Sequence, residues 1–255
     1  MLVAALRGKS VPDFDNVEDC LTSIVFEHLR YLPPNIFWPE LFRYSLSLQN
    51  QSLGTYFRDS SIDLLAYDHL SLDFWPRLEG GNEPDLILRF TGLNTKPLLL
   101  VIEVKLWSGK SGVGEDDQLV RYMAAAQHLA HKEGALFAGV IYLSPVNSVE
   151  EVGTSWAIAK VRGLDAPLWR LQWQDVLAAL RTTRCETQPY KMVIEDVARF
   201  LEYCGFEHFS GFRMNIEIPS TIRGHFYQSA ELFSRCVIPE IYVRRAAWTE
   251  GVLNG

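Results

Sequence analysis

Pro97-Leu98-Leu99-Leu100-Val101-Ile102-Glu103-Val104-Lys105-Leu106-Trp107 is the stretch on which the fold turns. From Leu98 to Ile102 it is apolar at every position, as in a central strand covered on both faces. A Glu and a Lys then follow with one residue between them. Successive strand side chains alternate in direction, so Glu103 and Lys105 share a face. A carboxylate beside an ammonium at the end of a buried strand needs a chemical reason.

The preceding segment supplies one. Glu83-Pro84-Asp85 opens a second short strand, Leu86 to Phe90, and Thr91 to Lys96 is a turn signal between the two. A hairpin centred on Asn94 puts Asp85 directly across from Glu103, with Cβ atoms about 5 Å apart. Two ionised carboxylates at that distance repel by roughly 3 kcal/mol at an effective dielectric near 20. A fold tolerates this when a cation sits between them or one carboxyl keeps its proton. Lys105 is one candidate cation and a divalent metal is another; hard ions such as magnesium take oxygen ligands and keep several waters.

The 255 residues can bury one sizeable core, and hydrophobic and charged content are those of a globular protein. No apolar run has the length of a membrane span, and the apolar patch before Arg7 is too short for a secretory signal, so a cytoplasmic location is expected. Cys20, Cys185, Cys204 and Cys236 show no paired spacing, which argues against a zinc site or a disulfide framework. The net charge of −7 opposes a protein that grips nucleic acid by a basic face. It points to weak intrinsic affinity for a phosphate backbone or to a partner that delivers the substrate.

In chain order, Asp13 to Leu32 reads as an amphipathic helix, capped by Asp15 or Asn16 and ended by Pro33-Pro34. Pro39 to Gln49 reads as a second helix. Strands are expected at 62–67, 70–75, 86–90 and 98–102, with Asp73 facing away from the core and a turn at 80–82. Gly109-Lys110-Ser111 lacks the earlier glycine of a phosphate loop, since that position is Val104, so nucleotide binding is excluded there; Lys110 and Ser111 could still meet a substrate phosphate, but a solvated lysine in a flexible loop is the stronger expectation. Glu115 to His131 reads as a helix with Leu119, Tyr122, Met123, Ala126, Leu129 and Ala130 buried. Gln118 and Tyr122 share one of its faces. His128 and His131 lack a third ligand and read as surface residues. A strand over 136–143, a helix over 149–160, a strand over 169–173, and helices over 174–180 and 193–203 follow. Short strands at 212–218 and aromatics at 225–227 close the chain.

Pro84-Asp85 followed by Glu103-Val104-Lys105 resembles the active-site signature of the PD-(D/E)XK nuclease superfamily, the restriction-endonuclease-like fold. Glu18-Asp19-Cys20-Leu21-Thr22 is similar to the first helix of many such nucleases, where a glutamate reaches towards the metal; Glu18 takes that role here, with Glu27 as the competitor. Gln118 and Tyr122 resemble the Gln-x-x-x-Tyr element of a subset related to recombination-repair nucleases. The resemblance covers Asn16 to Ser144. It implies an α/β fold with an αβββαβ core, a central mixed sheet flanked by helices, over residues 1–145. An α+β C-terminal extension, 146–255, would pack on that core in an unassigned role.

The resemblance further implies a metal-dependent hydrolase that cleaves phosphodiester bonds, with DNA as the expected substrate. Magnesium, for which manganese would substitute, is expected on Asp85, Glu103, the Val104 carbonyl and Glu18. Lys105 would orient the attacking water or stabilise charge on the phosphoryl oxygens, and Gln118 and Tyr122 would fix substrate or water. Nucleic acid is the expected partner, with a protein partner or a second copy of the chain allowed and no membrane. The alternative is a non-catalytic nuclease-fold interaction subunit of a repair or defence assembly, which the acidic charge and the unassigned second half favour.

Overall fold

A computed structural model describes residues 18–106, 109–112 and 114–206. The expected caps at Asp15 and Asn16, the strands at 212–218 and the aromatics at 225–227 lie outside the described residues.

Every residue of the strand Leu98–Val104 is buried, and it forms the middle of a five-stranded sheet. The elements in order are α1 (Glu18–Leu29), α2 (Trp38–Tyr44), α3 (Leu53–Asp59), β1 (His69–Phe74), β2 (Leu86–Thr91), β3 (Leu98–Val104), α4 (Gln118–Glu133), β4 (Leu136–Ser144), α5 (Val149–Val161), β5 (Leu168–Gln172), α6 (Trp173–Thr182) and α7 (Gln188–Tyr203). The strands lie in the order β1-β2-β3-β4-β5. β1, β2 and β3 run antiparallel, and β4 and β5 each add in parallel, so the sheet is mixed.

Alternation along β3 explains the layers. Leu98, Leu100, Ile102 and Val104 join a core that includes Leu21 and Val25 of α1, Trp38 and Leu41 of α2, Trp173 and Val176 of α6, and Val197 of α7. Leu99 and Val101 point the other way, onto Leu119 and Met123 of α4 and Val152 and Ala159 of α5. At about 2 kcal/mol per fully buried leucine, this packing gives the strand a firm seat from which charged residues can be held at its end. The result is an α/β fold, a mixed sheet flanked by helices. No helix among the described residues is long and apolar enough to cross a membrane.

The β2–β3 hairpin has the register implied by its centre. Leu86 pairs with Ile102 and Phe90 with Leu98, and Asn94 turns the chain at φ 64°.

Four expectations need correction. The helix expected over 39–49 stops at Tyr44, because the Leu46 backbone pairs with Arg170, donating at 2.9 Å and accepting at 2.8 Å. The chain then makes an unanticipated helix, α3, capped by Ser52, whose hydroxyl accepts from the Thr55 N–H at 3.1 Å. The strand expected at 62–67 is instead a 3-10 turn over Leu64–Ala66. The Asp63 carboxylate takes the Leu65 N–H at 2.9 Å and so competes with sheet pairing. α4 starts at Gln118, not Glu115, since Asp117 is its N-cap and accepts the Val120 N–H at 3.2 Å. α7 begins earlier than expected, with a proline in its first turn. Residues 146–206 of the expected extension add β5 to the same sheet and α5, α6 and α7 to its faces.

Candidate functional site

The site gathers where β2 begins and β3 ends. Because Leu86 pairs with Ile102, the next pair outward is Asp85 and Glu103, both on the face of Ile87, Leu99 and Val101 that α4 covers. All three charged residues are buried: Asp85 is 8% exposed, Glu103 2% and Lys105 8%. Lys105 Nζ lies 2.7 Å from Glu103 Oε1. The Val104 N–H donates to Asp85 Oδ2 at 2.7 Å, which anchors one carboxylate to the strand that carries the other. Glu103 Oε2 is buried and has no hydrogen-bond donor.

Burial and then the Asp85 charge push Glu103 up to about 8, against the pull of Lys105. Burial also raises Asp85, with the Val104 N–H acting in the opposite sense. Glu103 is therefore the carboxyl that keeps its proton near neutral pH, which is how a like-charged pair survives in a low-dielectric setting. Burial works against the Lys105 ammonium, but the Glu103 carboxylate outweighs it, helped by Glu18 and Asp85, so the net shift is upward and the amine stays charged.

The other expected residues come to the same place. Glu18, in the first turn of α1, lies with Oε1 3.4 Å from Lys105 Nζ, and its Oε2 accepts the Leu106 N–H at 2.7 Å. Glu27 is exposed further along the helix. Gln118 Nε2 donates to the Tyr122 hydroxyl at 3.0 Å, and that hydroxyl donates to the Glu83 carbonyl at 3.0 Å. Burial, with the Glu103 charge next, raises the Tyr122 pKa.

No family model, curated protein or solved structure matches the chain. What the site can do therefore rests on its own chemistry.

Lys110 overturns its expectation. Its amine is not solvated but pairs with the fully buried Asp117, and its side chain is 9% exposed. Nothing in the local sequence pointed to Asp117 or to Ser155, the third member, as partners of Lys110. Two further residues escape a sequence reading. Trp173 Nε1 donates to the Lys105 carbonyl at 3.1 Å and so fixes the residue after the strand. Tyr142 pairs with Glu103 across β3 and β4 and is buried on the same face; its pKa is raised by burial, by Glu151 and by Glu103. An aromatic inside an apolar strand carries no signal of such a place. His128 stays on the surface with Glu79, 2.7 Å away, and Asp73 pairs with Arg89 at a half-exposed position.

Among the described residues no group of three or more His, Cys, Asp and Glu side chains is gathered closely enough to hold a metal. The donor set fits an ion that needs few protein ligands: two hard carboxylates, one with an unpartnered buried oxygen. Magnesium, which keeps most of its waters, meets that description; zinc, with four protein-rich positions, does not.

Proposed function

We propose that the chain is a divalent-metal-dependent nuclease acting on DNA, built on a restriction-endonuclease-like αβββαβ core. The carrying observation is the placement of Asp85 and Glu103 at one end and on one face of the central strands, with Lys105 Nζ 2.7 Å from Glu103. The order helix α1, antiparallel β1, β2 and β3, helix α4, then parallel β4, with α2 and α3 inserted between α1 and β1, supports the core assignment.

Asp85 and Glu103 would hold magnesium or manganese, with the Val104 carbonyl as a further donor on the same strand end. The ion supplies Lewis acidity and a water of lowered pKa. The chain's own groups do the rest. Glu103 would give up its proton on loading, so loading is favoured as pH rises. Asp85 is kept in place by the Val104 N–H. Lys105, released from Glu103, presents a charged amine to the non-bridging oxygens of the scissile phosphate, where negative charge develops. Glu18 holds that amine and the Leu106 N–H together, which sets where Lys105 can swing and makes Glu18 a positioning residue more than a ligand. With its carboxylates ionised the site is net negative and repels a phosphodiester, so the cation is needed for substrate entry as well as for chemistry.

The test is cleavage of plasmid and linear DNA with magnesium. Asp85→Ala is expected to abolish cleavage, and Lys105→Ala to lower it by roughly 10²–10³-fold, the worth of one stabilising donor in the transition state. Cleavage that persists in both variants, or none in wild type with either metal, defeats the assignment.

A second reading, a non-catalytic interaction subunit on the same fold, draws on one observation. Lys105 and the raised pKa of Glu103 already let the facing carboxyls stay buried without any metal. Calorimetric titration with manganese separates the two, because a scaffold has no need to bind it.

A further inference from the structure

Residues 109–112 return to the N-terminus of α4, and the contacts that hold them there are buried. Lys110 Nζ pairs with Asp117 and lies 2.9 Å from Ser155 Oγ, which donates to the same carboxylate at 2.9 Å. Asp117 and Ser155 are both fully buried. Removing an ammonium and a carboxylate from water is costly before their attraction offsets it. A surface turn has no use for that expense, unless one arrangement of the loop has to be fixed.

What is fixed lies next door. The Ser111 N–H donates to Gln118 Oε1 at 3.1 Å, and the Ser111 carbonyl accepts the Gln118 N–H at 3.2 Å. Only the amide oxygen can accept from a backbone N–H, so the Gln118 side chain has one orientation. Its NH2 must then face the Tyr122 hydroxyl, 3.0 Å away, which leaves the phenolic proton for the Glu83 carbonyl at 3.0 Å. Glu83 is two residues before Asp85. A directed chain of hydrogen bonds thus runs from the buried Lys110 cluster to the stem of one carboxylate of the site.

We propose that Lys110, Asp117 and Ser155 form a latch that positions Asp85 against Glu103, acting through Ser111, Gln118, Tyr122 and the Glu83 carbonyl. On this assignment Gln118 and Tyr122 are positioning residues, because their polar atoms are engaged with Ser111, with each other and with the Glu83 carbonyl. The consequence for metal binding rests on the nuclease reading; the effect on Asp85 does not.

The test uses two variants of the full chain. Tyr122→Phe removes the bond to Glu83 at constant shape. Lys110→Met with Asp117→Asn opens the latch without leaving a buried charge unpaired, and asparagine still caps α4. In metal-free protein, NMR hydrogen exchange is read at the Val104 amide, which donates to Asp85 Oδ2. Exchange there is expected to rise about fivefold in both variants, what the loss of one net hydrogen bond is worth. Exchange in α7 stays as in wild type, which a general loosening of the fold would not allow. Calorimetry with manganese is expected to show affinity reduced on the order of fivefold in both, with KM for DNA unchanged at saturating manganese. Unaltered Val104 exchange in the two variants overturns the latch, whatever the metal result. Raised exchange in a protein that binds no manganese supports the latch and defeats the nuclease reading.

Discussion

At the scale of single residues, the decisive feature is that Glu103 is the more deeply buried of two facing carboxyls. Its pKa rises from an ordinary 4.5 to about 8 through burial and the Asp85 charge. A folded-state pKa above the unfolded value means that the native protein holds this proton more tightly. That stability is fully present below about pH 4.5 and is lost as pH climbs through about 8. Asp85, also raised, acts in the same sense, whereas Lys105 loses its contribution only at a more alkaline pH. The thermal midpoint of the metal-free protein is therefore expected to fall between pH 5.5 and 9, by an amount corresponding to a few kcal/mol. Glu103→Gln, which is neutral throughout, should remove most of the slope and melt higher than wild type at pH 9. Calorimetric scans across that range decide it, and a midpoint that climbs with pH contradicts a raised Glu103. These residues were legible in the sequence because their relation is local: a hairpin centred on Asn94 equates Asp85 with Glu103, and a two-residue spacing puts Lys105 on the same face. Lys110 was misjudged because one of its partners, Ser155, lies beyond the next strand, where no periodicity in the loop could indicate it.

At the scale of elements, β3 was recognisable from its unbroken apolar run, and α4 from its buried stripe. The end of α2 was not, since it depends on Leu46 pairing with Arg170 at the sheet's far edge. The least obvious device is in β4. Leu99 pairs with Phe137 but Val101 with Val140, so β4 carries one extra residue there, and beyond it Glu103 is opposite Tyr142. Without that bulge the register would set Ile141 beside Glu103 and turn every later side chain of β4 to the other face. Gly139 makes it possible. Its φ is 105°, and a Cβ there would sit 2.1 Å from the Pro167 carbonyl oxygen. A glycine inside an apolar strand is the kind of sign that marks a bulge, although its effect on register is visible only with both strands in place. Gly139→Ala is expected to destabilise the protein by about 2–3 kcal/mol, combining a strained φ with a backbone clash that no side-chain movement relieves. Urea unfolding measures this, and a variant within about 0.5 kcal/mol of wild type, the range of an ordinary surface change, would show that the bulge does not depend on glycine.

At the scale of the whole molecule, charge and proposed substrate pull in opposite directions. The chain carries a net −7, and several of its described basic side chains are engaged within the protein: Arg89 with Asp73 and Glu133, Arg181 with Glu202, Lys110 with Asp117. Backbone binding of DNA draws its affinity from cations that displace condensed counterions, and a protein that has spent its cations internally has little of this term. The ionised site adds to the repulsion: Asp85, Glu103 and Glu18 surround a single lysine. A divalent ion reverses the sign at the point where the scissile phosphate must sit, so affinity for DNA should itself depend on the ion. Calcium is the useful probe, because it takes the same oxygen ligands with looser geometry. Fluorescence anisotropy of a labelled duplex at low salt is expected to show no binding in EDTA and binding with calcium at pH 8, with the calcium effect lost in Asp85→Ala. Equal affinity in EDTA and calcium would mean that some other surface holds the nucleic acid. Binding in neither, by a protein that nevertheless takes up manganese, would mean that the substrate has to be delivered by a second molecule, as the acidic balance of the chain allows.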